Sequence, residues 1–237
     1  MTTPRAVLFD LFNTLVPGGS RAERDAVSHA MAADLGVDPQ AFVELYAATF
    51  DDRVRGRLGD LGETIRTLAR RLGAEPAAYD VAAAAQRRLD FTLSLHAGTW
   101  ALPALRELRA EGYRIGLVTD CTAETPAIWP DSPLAGYVET TSFSCVTGLR
   151  KPAAGAYRVA MTGLRVTPAE CVYVGDGGSR ELTGAEALRM RAIRFRPSGE
   201  DLGGVDDPDL DWAGQEIDDL AELPGLLVTP DPATDSA

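Results

Sequence analysis

The sequence predicts an α/β protein with a doubly wound parallel sheet and an inserted all-helical domain. Five short apolar runs have the length and composition of strands, and helical patterns separate the later ones. This alternation is typical of a parallel, Rossmann-like sheet. The gap between the first and second runs, from about residue 20 to 95, contains no convincing strand and reads as several amphipathic helices. It is too long for a crossover helix, so we expect an inserted helical domain.

The predicted elements follow in a fixed order along the chain. The predicted strands are 6–10, 114–119, 138–143, 171–175 and 192–195. The predicted helices of the insertion are 22–35, 39–50, 63–72 and 79–93, and those of the sheet domain include 102–111 and 154–164. A last amphipathic segment, 216–223, is expected to pack on the core.

Glycine and proline mark the predicted domain boundaries. The Pro-Gly-Gly at 17–19 and the stretch around 96–98 would be the two hinges of the insertion. Residues 1–17 and 98–228 would then form the Rossmann-like core, and residues 18–97 a helical cap. Residues 229–237 have the composition of a disordered tail.

Composition excludes several kinds of partner. With 237 residues and a formal net charge of −12, the chain is unsuited to nucleic acid or an anionic membrane surface. Cys121, Cys145 and Cys171 are an odd number without a C-x-x-C pair, as expected for buried free thiols in a reducing cytoplasm. We see no signal peptide or transmembrane run, so we expect a cytoplasmic protein.

The residue with the clearest chemical meaning is Asp10. It directly follows the four apolar residues of the first predicted strand. Burying a carboxylate without compensation costs several kcal/mol, and ligands of open α/β sheets bind at the carboxyl ends of strands. The position therefore predicts a functional carboxylate.

Three further motifs follow in order. A second strand ends in Thr119-Asp120, Lys151-Pro152 precedes a helix, and Gly175-Asp176 ends a fourth strand ahead of Glu181. With the Asp10 motif they resemble the haloacid dehalogenase superfamily of hydrolases. The resemblance covers the chain from Ala6 to about Leu223.

The resemblance and the chemistry of each side chain assign the catalytic roles. Asp10 would attack the substrate and form a covalent aspartyl intermediate. Thr119 would hydrogen-bond an oxygen of the bound group, although Thr119 alone is better explained as a strand-end turn. Lys151 would neutralise charge around Asp10 and the substrate. Almost every other basic residue in the chain is arginine.

The resemblance also implies a Mg²⁺ site. In Mg²⁺-dependent members the ligands correspond here to Asp10, the backbone carbonyl of Phe12, and Asp176, all oxygen donors of the kind that Mg²⁺ prefers. Glu181 would ligate the metal directly or through water. Equally well, it is an acid favoured by a helix N-terminus.

Phe12 departs from the pattern of the phosphatases. Those enzymes usually carry an aspartate two residues after the nucleophile as general acid and base, a role worth about 10²–10⁴-fold. The 2-haloacid dehalogenase branch also lacks that acid and typically has tyrosine there. Its members need no Mg²⁺, however, and Gly175-Asp176 is the metal-binding form of the fourth motif, so we weight metal binding above dehalogenation.

Three residues are candidates for contact with the substrate: Phe12, Asp120 and Arg53. Asp120 stands where Asn is common, and near a phosphate its carboxylate must point away or pair with an arginine. Arg53 belongs to a basic cluster with Arg55 and Arg57. Such a cluster could receive an anionic substrate, but a solvated face is the more common explanation.

Other residues are given lesser roles. Trp100 and Trp129 are expected to pack rather than to line an entrance. The two histidines, His29 and His96, neighbour no motif, which argues against a Ser–His or zinc mechanism.

Three functions are therefore compatible with the sequence. The first is a Mg²⁺-dependent phosphatase that acts on a small phosphorylated metabolite through an aspartyl-phosphate at Asp10. The second is a metal-independent hydrolase of carbon–halogen bonds, and the third a low-turnover relative that binds a ligand or partner. The sequence leaves the oligomeric state and the substrate open.

Overall fold

A computed structural model describes residues 4–197 and 207–227, and it shows the predicted α/β architecture. Within these residues a single parallel sheet has the strand order β3-β2-β1-β4-β5-β6. The strands are β1 (Ala6–Phe9), β2 (Arg114–Thr119), β3 (Thr140–Phe143), β4 (Cys171–Gly175), β5 (Arg191–Phe195) and β6 (Gln215–Ile217).

Helices occupy both faces of this sheet and the segment between β1 and β2. The insertion contains α1 (Arg21–Leu35), α2 (Pro39–Ala48), α3 (Phe50–Val54), α4 (Leu61–Arg71) and α5 (Ala78–Ala97). The later helices are α6 (Leu102–Ala110), α7 (Glu124–Ile128), α8 (Ser144–Thr147), α9 (Ala154–Leu164), α10 (Glu181–Ala187) and α11 (Leu223–Leu227). No helix among the described residues has the length and apolar character needed to cross a membrane.

The sheet is buried from both sides, which explains the continuous apolar runs of its strands. On one face α6 and α11 pack on alternate residues of β1, such as Val7 and Phe9. On the other face α9 and α10 pack on Leu8 and its neighbours. This arrangement is the doubly wound sheet that the sequence predicts.

The insertion has a hydrophobic core of its own. That core is built from side chains of α1, α2, α4 and α5, among them Met31, Phe42, Ile65 and Leu68. The helix ends are encoded locally: Ser20 and Glu23 form a reciprocal capping box at the start of α1. The helical content of the insertion therefore follows both from capping and from burial of one apolar face.

Strand register brings the predicted motifs together. β1 lies between β2 and β4, and Phe9 is paired with Leu117 on one side and Val174 on the other. The residues that follow these three strands therefore emerge at one carboxyl edge of the sheet.

The structure corrects several predicted boundaries. The predicted helix 39–50 is broken at Thr49 into α2 and α3, and α5 runs four residues beyond the predicted end at 93, so that His96 lies in its last turn. The segment 216–223 does pack on the core, through Ile217, Leu220 and Leu223. It begins, however, as a sixth strand that was not predicted. The predicted disordered tail, 229–237, lies outside the described residues.

The cysteine prediction also needs correction. All three cysteines are free, and Cys121 and Cys171 are buried as expected. Cys145 is only partly buried, and its sulfur lies 3.8 Å from that of Cys121. These two residues are distant in sequence but adjacent in space.

Candidate active site

Three carboxylates meet at the carboxyl edge of the sheet. Asp10 follows β1, Asp176 follows β4, and Glu181 begins α10. One oxygen atom from each lies within 4.8 Å of the others. Close carboxylates repel one another unless a cation lies between them, so the arrangement calls for positive charge.

Lys151 supplies one such charge from inside the protein. It is the one lysine in the chain, and its amino group contacts Asp10 Oδ1 and lies 2.6 Å from Glu181 Oε2. Burial alone would lower the pKa of Lys151, but the carboxylates of Asp10 and Glu181 outweigh it and raise this pKa well above its usual value. Lys151 is therefore a permanent cation in the site.

Asp10 is held in a fixed orientation. Its backbone N–H donates to the carbonyl of Val174 at 2.9 Å, and the hydroxyl of Thr14 donates to Oδ2 at 3.2 Å. Burial raises the pKa of Asp10 to about 6, partly opposed by Lys151 and reinforced by Asp176. Near pH 7 the carboxylate is mostly ionised, as a nucleophile must be.

Glu181 is fully buried and both of its oxygens have protein partners. Oε2 accepts from the Tyr173 hydroxyl at 2.7 Å as well as from Lys151, and Oε1 accepts from the Gly177 N–H at 3.0 Å. A side chain at Gly175 would collide with Oε1, since its Cβ would lie 2.0 Å away. These contacts favour an anchor for Lys151 over a direct metal ligand.

Asp176 reaches the open side of the cluster. Its Oδ1 accepts from the Gly178 N–H at 2.8 Å and its Oδ2 from the Asn13 side-chain amide at 3.1 Å. Asn13 adopts the left-handed conformation at φ 62°, which asparagine tolerates better than most residues. Asn13 is not among the site residues predicted from the sequence, although an asparagine next to Phe12 is a usable signal.

The donor set fits Mg²⁺. Asp10 and Asp176 offer carboxylate oxygens. Within the described residues of the turn after β1, the backbone hydrogen bonds are accepted by the Leu11 and Val16 carbonyls, and the Phe12 carbonyl is not among their acceptors. Oxygen ligands without nitrogen or sulfur are those that Mg²⁺ prefers. Together with Lys151, such an ion would balance the three carboxylates.

Thr119 and Asp120 lie beside this cluster. The Thr119 hydroxyl is buried and has no hydrogen-bond partner among the described residues, so it does not form the alternative strand-end turn. The Asp120 carboxylate is expected to point away from a bound phosphate or to pair with an arginine, and it pairs with Arg150 at 3.0 Å. It also accepts from the backbone N–H of Lys151 at 3.1 Å, and so helps to position that lysine.

A cavity of about 430 Å³ lies over the cluster, between the sheet edge and the insertion. Asp10, Phe12, Lys151 and Asp176 contribute to its floor. The ring of Phe12 also packs edge-on against His96, with 6.3 Å between ring centroids. The expectation that neither histidine neighbours a motif is therefore wrong for His96 in three dimensions.

His96 does not replace the missing acid. Its side chain is fully buried, its Nδ1 is 2.8 Å from the Ser132 hydroxyl, and burial lowers its pKa to about 4. At neutral pH the ring is uncharged and cannot serve as a proton donor of ordinary strength. Trp129 also packs edge-on against His96, with 6.0 Å between ring centroids, and Trp100 donates to the Thr14 carbonyl, so both tryptophans pack as predicted.

The insertion contributes an unusual cation to the cavity wall. Arg53 is buried, stacks on the Tyr46 ring at 3.7 Å and donates one hydrogen bond, from Nη2 to the Tyr46 carbonyl. The structure gives it no ion pair among the described residues, and its Nε has no partner. The solvated-face explanation is therefore wrong for Arg53, whereas Arg55 and Arg57 pair with aspartates at the surface.

A second pair in this wall was not predicted. Arg88 of α5 donates to Glu124 of α7 at 2.7 Å; the Glu124 side chain is buried, and that of Arg88 is 13% exposed. Burial opposes ionisation of Glu124, but Arg88 holds the pKa of this carboxyl below its usual value. The pair links the insertion to the sheet domain, and 36 residues separate its members, so no local pattern reveals it.

The fold and this cluster define an α/β enzyme whose site lies between a parallel sheet and an inserted helical segment. Residues 4–189 match the haloacid dehalogenase-like hydrolase family. Because the match covers most of the chain, the protein belongs to this family and is a hydrolase.

Curated relatives and solved structures agree with this membership. The chain is 30% identical to a glyceraldehyde 3-phosphate phosphatase of Methanopyrus kandleri, over 92% of this chain and 98% of the relative. It is 28% identical to a ribulose-1,5-bisphosphate 5-phosphatase of Halopiger xanaduensis, over 94% and 98%. A 2-haloacid dehalogenase of Pseudomonas syringae has the same fold, with a TM-score of 0.70, 22% identity and coverage of 94% and 98%.

Proposed function

We propose that the protein is a Mg²⁺-dependent phosphatase of small phosphorylated metabolites, with Asp10 as nucleophile. The observation that carries the proposal is the acidic cluster, bridged by Lys151 and open to a cavity through Asp176. Phosphoryl transfer depends mainly on positioning and on neutralisation of charge. The names of the curated relatives, which cover nearly the whole chain, support this choice of substrate class.

In this proposal an Asp10 carboxylate oxygen attacks phosphorus and expels the leaving oxygen, which gives an aspartyl-phosphate. Water then hydrolyses it to inorganic phosphate and the free carboxylate. Lys151 keeps Asp10 oriented, and the unpartnered Thr119 hydroxyl donates to a phosphate oxygen. Bound Mg²⁺, held by Asp10, Asp176 and the Phe12 carbonyl, would supply further neutralisation of charge.

Phe12 removes the usual proton carrier from this scheme. Its ring lines the cavity floor, where no proton can be transferred to a leaving alkoxide. Substrates whose leaving group needs little protonation should therefore react faster, and the substrate itself or water must protonate the others. Phosphatase chemistry is thus retained at reduced strength for poor leaving groups.

The insertion acts as a cap in this proposal. Residues 18–97 would cover the site that residues 1–17 and 98–228 build, and Arg53 would bind an anionic or hydroxyl group of the substrate away from the reacting phosphate. Buried guanidinium groups without an ion pair are unfavourable, and an anionic ligand would relieve this.

Free cysteines agree with a reducing location such as the cytoplasm.

A dehalogenase is the second candidate because of the aromatic Phe12. Phosphate release from p-nitrophenyl phosphate, glyceraldehyde 3-phosphate and ribulose 1,5-bisphosphate would be measured with Mg²⁺ and with EDTA, beside chloride release from 2-chloropropionate. We expect phosphate release that EDTA abolishes and Mg²⁺ restores. Chloride release that is insensitive to EDTA, without phosphate release, would show the dehalogenase instead.

A further inference from the structure

The sheet brings two cysteines together at the edge of the site. Thr119 of β2 is paired with Phe143 of β3, and Cys121 and Cys145 each lie two residues further along. Their sulfur atoms are 3.8 Å apart. Cys121 follows the end of β2, and Cys145 lies in the first turn of α8. A disulfide is about 2.0 Å long, so the two residues must approach each other by about 2 Å to form one.

We propose that Cys121 and Cys145 form a modification site, in which hydrogen peroxide converts the two thiols into a disulfide and so lowers the turnover of the enzyme. The disulfide itself is independent of the proposed function, whereas its effect on turnover rests on that function. Cys145 is partly exposed, and Cys121 lines the cavity, so peroxide can reach the pair.

The surroundings of Cys121 and Cys145 give the two thiols different roles in the oxidation. A hydrogen bond from the Cys121 thiol lowers the pKa of Cys145, and burial raises the pKa of Cys121. Cys145 is therefore the better thiolate and Cys121 the resolving thiol. Cys171 is a built-in control, because burial raises its pKa to about 12 and its thiol donates to the Thr167 carbonyl.

The reaction balances with one peroxide for each pair. The Cys145 thiolate attacks a peroxide oxygen, breaks the O–O bond, and becomes a sulfenic acid as hydroxide leaves. The Cys121 sulfur then attacks the sulfenic sulfur and the S–O bond breaks. The proton of each thiol ends in water, so two thiols and one peroxide give one disulfide and two waters.

The bond would disturb the site through Asp120. A disulfide is about 2.0 Å long, so Cys121 must move relative to its present contacts with Ser144, at 2.9 and 3.2 Å. Asp120, the preceding residue, holds the Lys151 backbone N–H. On the cap side, Gly56 packs directly against the Cys145 carbonyl, where no Cβ would fit. Misplacement by about 1 Å can reduce turnover by about 10²-fold.

Peptide mapping offers a direct test, since trypsin leaves both cysteines in one peptide, 115–150, and Cys171 in another, 166–180. The full-length protein would be treated with stoichiometric peroxide, alkylated with iodoacetamide in denaturant so that every remaining thiol can react, and digested without reductant. We expect peptide 115–150 to lose two hydrogens and take no alkyl groups, while 166–180 is alkylated. Dithiothreitol should restore two alkylation sites on 115–150.

Variants separate the two halves of the proposal. C145S should keep phosphatase activity and lose no turnover to peroxide, and C171S should behave like the wild type. Wild-type turnover should fall at least about tenfold and recover with dithiothreitol.

Alkylation of both Cys121 and Cys145 after peroxide, or a disulfide that includes Cys171, would overturn the modification site. A disulfide in 115–150 with unchanged turnover would overturn its effect on the enzyme. Absence of phosphatase activity before oxidation would count against the proposed function, not the disulfide.

Discussion

The two walls of the cavity differ in how their buried charged groups are paired. At the sheet edge, Lys151 lies between Asp10 and Glu181, so each buried charge has a partner within the protein. On the helical side, Arg53 is buried against the Tyr46 ring with one hydrogen bond to a carbonyl, while Glu124 is already paired with Arg88. The buried cation of the sheet edge has two carboxylate partners, and the buried cation Arg53 has none at ion-pair distance among the described residues.

This difference indicates that the sheet edge serves catalysis and that Arg53 serves substrate binding. Groups that are preorganised by their own partners can stabilise a transition state without reorganising. A buried cation with no carboxylate at ion-pair distance gains most when a ligand provides an anionic group. We therefore expect substitutions at the sheet edge to change kcat, and substitution of Arg53 to change KM.

The largest effect should come from Asp10→Asn. The amide is nearly the same size and keeps the hydrogen bond from Thr14 within reach, but it cannot form an acyl phosphate. We expect phosphate release to fall at least about 10³-fold, with thermal unfolding retained as one cooperative transition. Asp90→Asn, an exposed carboxylate of α5, is the matched control. Unchanged biological activity of Asp10→Asn would instead identify a protein that acts by binding.

A gain of function should follow Phe12→Asp, which would restore an acid at the cavity floor. Against an alkyl phosphate we expect kcat to rise by about 10²-fold, the lower end of the range for general acid–base catalysis. Turnover of p-nitrophenyl phosphate, whose leaving group needs no proton, should change much less. Phe12→Asn is the control, because it causes the same loss of packing but adds no group that can donate a proton to the leaving oxygen. If both variants raise kcat equally, proton transfer is not the missing element.

The sequence was sufficient for the sheet edge because its residues follow strands. The carboxyl ends of parallel neighbours meet at one edge, so Asp10, Thr119 and Asp176 could be grouped without coordinates. Lys151 was recognised by its motif. The partners of Glu181 could not be predicted, since the Tyr173 hydroxyl belongs to a buried strand and reaches Glu181 only across the sheet face.

The helical wall could not be predicted in the same way. Arg53 lies in a run with two exposed arginines, and only packing against Tyr46 from another helix distinguishes it. Likewise β6 is three residues long at the edge of the sheet, too short for an alternating pattern to identify. Long-range packing determines both features, and local patterns do not record it.

His96 should make the stability of the protein depend on pH. Burial lowers its pKa to about 4 from 6.5, so the unfolded chain binds a proton in that window and the folded protein does not. The stability that neutral, buried His96 gives the folded protein is fully present above about pH 6.5 and is lost as the pH falls. From pH 7 to pH 5 the free energy of unfolding should decrease by about 2 kcal/mol through this group.

The difference between His96→Phe and wild type isolates this effect in urea unfolding at several pH values. The comparison is needed because Asp10, whose pKa is raised to about 6, acts in the opposite direction over the same range. The stability of His96→Phe relative to wild type should rise as the pH falls from 7 to 5. His29→Gln, at an exposed position of α1, should follow the wild type. A constant difference between His96→Phe and wild type would contradict the assignment.

The smallest effect, and the one that tests the comparison most directly, should come from Arg53→Gln. Loss of the cap cation should raise KM for glyceraldehyde 3-phosphate or ribulose 1,5-bisphosphate about tenfold, equivalent to about 1.4 kcal/mol, and leave kcat within about twofold. Arg55→Gln and Arg57→Gln remove exposed, paired arginines of the same segment and should change neither constant. Arg53→Lys should recover part of the affinity, because it restores the charge without the planar fork. A fall in kcat with unchanged KM for Arg53→Gln would instead place Arg53 with the sheet edge, among the groups that act on the reacting phosphate.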